Sequence, residues 1–251
     1  MSPNERAKGV HDELFPNSAS TVAVTDPELI EIFDNFAFDE TLAKSRLDAR
    51  VRLMVQLASL IACGALAEYK VMLGAALGIG VTPVETKEIL YQAVPYVGMG
   101  RVFDFIGATN EILTSRGVEL PLEGQSSTTP ETRAEKGRAV QELVAGTERV
   151  QAMYDGAASD ECHFQRFLSA NCFGDYLTRR GVALCVRELL TFAMLVSLGG
   201  ADAQVRGHVA GNLNVGNVRQ QLLDVITVLI PYIGYPRALN ALAAVNEVAK
   251  A

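Results

Sequence analysis

The chain of 251 residues has no tryptophan, three histidines and four cysteines. Cys63, Cys162, Cys172 and Cys185 form no Cys-x-x-Cys pair, so neither a disulfide framework nor a zinc-ribbon spacing is present. His163 stands beside Cys162, with Cys172 ten residues on, but no fourth ligand follows at usable spacing; no metal is expected. Basic clusters are missing too: no run of Lys and Arg exceeds two residues, and the formal charge is −7. A nucleic-acid footprint is thereby excluded. Long apolar runs are absent, the nearest approach being Leu53 to Ala67, short of the roughly 18 residues of a membrane helix. The polar run Met1-Ser2-Pro3-Asn4-Glu5-Arg6 has no apolar signal core. A globular protein of the cytoplasm is expected.

What the chain does have is apolar content, 49%, with 21 glycines and a mean hydropathy of +0.18. That suffices for one large core or two small ones. It also has an internal repeat. An offset of 136 residues aligns Pro95-Tyr96-Val97-Gly98 with Pro231-Tyr232-Ile233-Gly234 and Arg101 with Arg237, without a gap. Gly64, Leu77, Gly80 and Asn110 match Gly200, Leu213, Gly216 and Asn246 at the same offset.

Each copy reads as helices. Thr82-Pro83-Val84-Glu85 supplies an N-cap, a first-turn proline and a capping-box glutamate. Asn217 is the expected start in the second copy. Apolar spacing predicts helices over 47–63, 66–78, 83–94 and 98–115, then 182–198, 202–214, 218–230 and 235–249. Asp26-Pro27 opens a shorter helix to Phe38, and helical patterns resume over 131–153 and 160–176. The expected fold is all-α, a duplicated helical-hairpin bundle. Its parts are an N-terminal segment (1–45), a first, degenerate repeat (46–116), a linker with connecting helices (117–180) and a second repeat carrying the site (181–251). Gly117 to Pro130 reads as surface linker.

Of the three histidines, His11 falls in a polar stretch and is expected to face solvent. His208 is different. Arg187-Glu188 begins an apolar helix that ends at Gly199-Gly200, and the next helix carries Gln204, Arg206 and His208. If the pair is antiparallel, Glu188 and His208 differ in height by only about 5 Å. Gln204 lies one turn before His208 on the same face. Gly207 and Gly211 flank the histidine, four residues apart, and would let another backbone approach. Two readings follow. In one, these groups shift one another's pKa values for chemistry. In the other, Glu188 pairs with Arg187 or Arg206 and His208 is a hydrogen-bonded core residue. On the residues alone the second is preferred, since buried polar groups must be paired in any case.

The run Arg187-Glu188-Leu189-Leu190-Thr191-Phe192-Ala193, then Leu198-Gly199-Gly200, His208-Val209 and Asn212-Leu213-Asn214-Val215-Gly216, resembles the carboxymuconolactone decarboxylase family. Pro231-Tyr232-Ile233-Gly234-Tyr235-Pro236-Arg237 continues the resemblance, and Gly80-Val81-Thr82-Pro83 with Glu85 and Glu88-Ile89-Leu90 carries it in the first copy. It implies a helical bundle that assembles into homo-oligomers, a trimer for a two-copy chain. It also implies one of two chemistries: cofactor-free decarboxylation of a carboxylated lactone, or peroxide reduction by a Cys-x-x-Cys pair in an alkylhydroperoxidase D-like branch. The two thiol positions of that branch fall here on Ala201 and Gln204, and in the first copy on Ala65 and Glu68. Without paired thiols the disulfide step is unavailable. The first copy has Met72 at the histidine position and Arg52 at the glutamate position, and reads as a structural half or a wall of the site.

Decarboxylation needs a cation for the remaining carboxylate, stabilisation of developing charge and a proton for carbon. Arg187 or Arg206 is assigned the first task. His208 is assigned the proton, with Glu188 orienting it or acting as second base. Gln204 and Tyr232 are the further substrate candidates, although for Tyr232 and Arg237 a structural reading is preferred, since Tyr96 and Arg101 repeat them in the copy without the histidine. Phe173-Gly174-Asp175-Tyr176 lies close enough in sequence to reach the site. The first hypothesis is therefore a cofactor-independent lyase or isomerase acting on a small acidic or lactone substrate. The alternatives are a single-cysteine antioxidant enzyme using Cys185 or Cys172, and a non-catalytic oligomer that binds a small ligand.

Overall fold

The computed structural model describes residues 4–16 and 20–250; Met1, Ser2 and Pro3 of the polar N-terminal run lie outside them. No strand occurs among the described residues. The first half contains α1 (Glu5–Leu14), α2 (Val22–Thr25), α3 (Pro27–Asn35), α4 (Ala49–Cys63), α5 (Leu66–Gly78), α6 (Pro83–Val97) and α7 (Met99–Ser115). The second contains α8 (Arg133–Ala145), α9 (Thr147–Asp155), α10 (Cys162–Phe167), α11 (Leu184–Leu198), α12 (Asp202–Asn214), α13 (Arg219–Ile233) and α14 (Tyr235–Val248). A wider π-helical segment follows α3 at Phe36–Glu40 and follows α10 at Leu168–Leu177. Phe36 and Cys172 are themselves 136 residues apart, so the duplication takes in elements ahead of the two hairpins.

Local chemistry explains the helix ends. Asp48 caps α4 by accepting from the amides of Arg50 and Val51. Thr82 and Glu85 close the expected capping box on α6. Both α6 and α13 run through their prolines, Pro95 and Pro231, three residues past the predicted ends. A proline that close to a C-terminus removes a single bond of the ladder. Asn217 is not the cap of α13. Val218 takes that place, its N–H donating to Gln221, while the Asn217 amide is spent on the Cys185 carbonyl and Asn212 Oδ1, both at 2.8 Å. The helical pattern over 131–153 breaks at Gly146, whose φ of 89° separates α8 from α9.

The centre of the molecule is the pair α4 and α11. Every residue from Leu53 to Ala62 and from Arg187 to Ser197 is buried. Helices enclosed on all sides show no amphipathic stripe, in keeping with their nearly unbroken apolar sequence. Ser59 and Ser197 hydrogen-bond across the pair at 2.7 Å. A smaller apolar cluster of Val144, Cys172, Phe173 and Leu177 forms between α8 and the second π-helical segment. That contact depends on Gly137 and Gly174: a Cβ on either would stand about 2 Å from a carbonyl oxygen of the other element. His11 is only partly exposed to solvent; its ring packs 5.1 Å from that of Phe15 and 5.8 Å from that of Phe38. The 117–130 linker is coil, but tethered, with Arg180 N–H donating to the Gln125 carbonyl and Ser127 Oγ to that of Thr178.

Candidate active site

α11 and α12 bring Glu188 and His208 together as the spacing predicts. Nδ1 of His208 lies 2.8 Å from Oε2 of Glu188. Glu188 is fully buried, and the histidine side chain is 18% exposed, its access opening on a cavity of about 720 Å³. With Nδ1 committed to the carboxylate, Nε2 is the nitrogen free to meet a ligand. The register is held from behind. Asn212 donates to the carbonyls of Glu188 and His208 at 3.1 and 2.7 Å, and Asn217 holds Asn212. Gly211 is needed for the approach: a Cβ there would lie 2.9 Å from both Glu188 Oε2 and Val144 Cγ1. This is the close contact that the glycine spacing around His208 implies.

The cavity is walled by α8 and α9, by the second π-helical segment and by the end of α6. Gln204 lines it, as expected from its place one turn before His208, and so does Phe173. The other expected substrate contacts lie elsewhere. Arg187 is fully buried and faces away, its guanidinium holding Glu88 Oε2 at 2.8 Å, Gln92 Oε1 at 3.0 Å and the carbonyls of Arg179 and Arg180. Neighbours on a helix diverge by about 100°, so Arg187 and Glu188 do not share a face. Arg206 fails for the same geometric reason: two residues before His208, it points to α14 and pairs with Glu247 at 2.6 Å, exposed. Tyr232 belongs to the first copy's hairpin, its ring 5.8 Å from Phe33 and its hydroxyl beside Met72.

Two other residues line the cavity instead. Arg149, on α9, lines the cavity, and its guanidinium lies against Gly207. No carboxylate pairs with it among the described residues. Tyr96, at the end of α6, packs its ring edge-on to that of His208 at 5.8 Å. Its hydroxyl is buried beside Thr191 and Cys172 without a hydrogen bond of ordinary geometry to either. Burial, and then Cys172 and Glu188 nearby, hold the phenol well above its usual range, so it is a neutral donor. Oε1 of Glu188 is likewise buried without a partner. The repeat that made Tyr96 look structural is what places it: α6 of the first copy reaches the second copy's hairpin, and α13 of the second reaches the first. Arg149 has no such signal, because α9 contacts α12 only through the fold.

Cys172 also lines the cavity, but burial pushes its thiol up to about 12. At neutral pH it is no thiolate. Cys185 does not line the cavity. In the first copy Arg52 and Met72 stand at the equivalent places, and desolvation drives the Arg52 guanidinium down and the Glu68 carboxyl up. No three His, Cys, Asp or Glu side chains gather as metal ligands among the described residues. No described helix is long and apolar enough to cross a membrane.

Known sequences agree with this duplicated layout. A 120-residue stretch, 48% of this chain, is 29% identical to 89% of the length of the 4-carboxymuconolactone decarboxylase of Acinetobacter baylyi (strain ATCC 33305 / BD413 / ADP1). The sequence model of the carboxymuconolactone decarboxylase family matches residues 27–111 and again 163–247, two segments that begin and end 136 residues apart. Both hairpins, and the π-helical segment ahead of each, thus fall within matched segments, and the chain is a two-copy member of the carboxymuconolactone decarboxylase family.

Proposed function

We propose that the protein is a decarboxylase-like lyase for a small carboxylated lactone or related acid, using His208 and Glu188 to move the proton. The observation that carries this reading is the 2.8 Å contact between the buried Glu188 carboxylate and His208 Nδ1, on a histidine that lines a cavity large enough for such a substrate. The carboxylate that remains on the substrate pairs with Arg149 at the rim, with Gln204 beside it. The bond to the departing carboxylate breaks, its electron pair passes into the conjugated lactone carbonyl, and CO₂ leaves. The Tyr96 ring, edge-on to the imidazole, holds it in place against the cavity. Nε2 of the imidazolium then delivers a proton to carbon, and solvent restores it. Glu188 keeps Nδ1–H in place and stabilises the imidazolium. The scheme uses no cofactor or metal.

Release of CO₂ from a panel of carboxylated lactones, with wild type and His208→Gln compared, tests this. The wild type should act on at least one, and the variant should lose ~10²–10⁴-fold in kcat, the usual contribution of a positioned acid–base group. Equal rates in the two, or no CO₂ from any member, would sink the reading. The single-cysteine alternative draws no support from Cys172, whose thiol stays protonated. Assembly as a homotrimer belongs to the same proposal. Its support is the exposed apolar pair Met99 and Phe103 on α7, repeated at the same offset by Tyr235 and Leu239 on α14. Sedimentation equilibrium should give three times the 27.0 kDa chain mass, and a monomer would count against it.

A further inference from the structure

A second cavity, of about 330 Å³, lies beneath the 117–130 strap at the start of α6. Lys87, Glu88 and Tyr91 on α6, Asn110 on α7 and Arg179 wall it, and Leu120 to Gln125 roof it. Its charges do not balance. Glu88, 1% exposed, is the one buried carboxylate among its described lining residues, and two guanidiniums share it: Arg179 through contacts of 2.9 to 3.1 Å and Arg187 at 2.8 Å. Lys87 adds a third cation. Its ammonium donates to Asn110 Oδ1 at 2.5 Å and lies 6.0 Å from the Tyr91 ring centroid, with no carboxylate partner among the described residues. Glu123 of the roof is exposed. Burial makes the uncompensated ammonium costly, and its pKa is drawn down accordingly. The cavity also has a flat aromatic wall, the Tyr91 ring, which carries the Arg179 guanidinium 5.0 Å from its centroid, and Leu120 and Pro121 are among its lining residues.

The repeat separates scaffold from site. At the 136-residue offset, Glu88 becomes Asp224, buried and occupied with the Arg46 amide at 3.2 Å and Gln220 at 2.8 Å. The buried acid is therefore part of the repeated architecture. Lys87, Tyr91 and Arg179, by contrast, correspond to Leu223, Thr227 and Ala43. The cations and the ring, Lys87 and Tyr91 from the first copy and Arg179 from the second, are thus absent from the equivalent place, which rules out a general requirement of the fold as their cause.

We propose that this strap cavity is a second binding site, for a small organic carboxylate with a flat body, its carboxylate on Lys87 and Arg179 and its ring on Tyr91. The site is separate from the His208 cavity and stands whether or not the decarboxylase reading does. Calorimetric titration of the full chain with benzoate tests it. Wild type and His208→Gln should bind alike, while Lys87→Met, which keeps the stem, and Tyr91→Leu should each bind about tenfold or more weakly. Benzoate that gives no binding heat up to about 10 mM overturns the proposal. So does binding that survives Lys87→Met unchanged, or binding that His208→Gln abolishes, since the occupied cavity would then be the other one. Inorganic phosphate binding as tightly as benzoate would overturn the flat-bodied class.

Discussion

At the scale of single residues, the site follows from which side chains share a helix face. Gln204 and His208 are one turn apart and reach one cavity; Arg187 and Arg206 are one and two positions from the dyad residues and reach other neighbours. The dyad was legible in the sequence because two helices and a double-glycine turn fix the relative height of Glu188 and His208. Arg149 was not, because nothing local in sequence relates α9 to α12. Tyr96 gives the sharpest separation of roles. Tyr96→Phe keeps the ring against His208 and removes a buried hydroxyl that has no protein partner. Activity should stay close to that of wild type, because the ring that packs on His208 is kept, while thermal stability stays the same or rises, since no hydrogen bond of ordinary geometry is lost. A fall in melting temperature would assign the hydroxyl a structural role instead. Cys172 contributes to alkaline stability. Its folded pKa of about 12 exceeds the ordinary 9.0, so the folded state keeps a proton that the unfolded chain gives up. Its stabilising share is intact below pH 9 and is lost as pH rises toward 12, with a slope of up to ~1.4 kcal/mol per pH unit. Urea titrations between pH 8 and 10 should show that slope reduced in Cys172→Ala, with the half-buried Cys63 thiol, also raised, accounting for part of what remains.

At the scale of elements, most helices sit where apolar spacing and cap residues put them. The exceptions are instructive. α1, capped by Asn4 accepting from the Ala7 amide, is short and polar and buries only Ala7 and Leu14, too little for a periodic signal. The two π-helical segments are not set apart from ordinary helix by their apolar spacing; they pack against α1 and α8. The α11–α12 hairpin tolerates little change at its crossing. Gly211→Ala places a methyl group 2.9 Å from both the Glu188 carboxylate and Val144. The cost should be about 1–3 kcal/mol in urea unfolding, with loss of activity beyond the loss of folded protein as Glu188 is pushed from His208. Full activity with unchanged stability would show that the dyad geometry is not set by this contact.

At the scale of the whole molecule, the two halves are joined by polar crossings as well as by the shared core. Gln56 on α4 reaches the Val228 carbonyl on α13, and Gln92 on α6 reaches that of Arg187 on α11. Glu88 and Arg187 add a fully buried ion pair between α6 and α11. Arg187→Met leaves Glu88 with Arg179 alone and should cost about 3–5 kcal/mol of stability, measured by denaturant unfolding. A change below 1 kcal/mol would mean that Arg179 and solvent compensate the carboxylate. These crossings were illegible in the sequence, since the residues that meet are far apart in the chain and only the offset between copies hints at their pairing. The exchange of tyrosines has a wider meaning. Tyr96 is encoded in the half whose own histidine position holds methionine, yet it stands at the other half's histidine. The chain thus resembles a heterodimer whose subunits are locked at equal stoichiometry by a peptide link. One partner is released from supplying the acid–base pair but remains answerable for the ring that completes it, and inheritance must carry the two together.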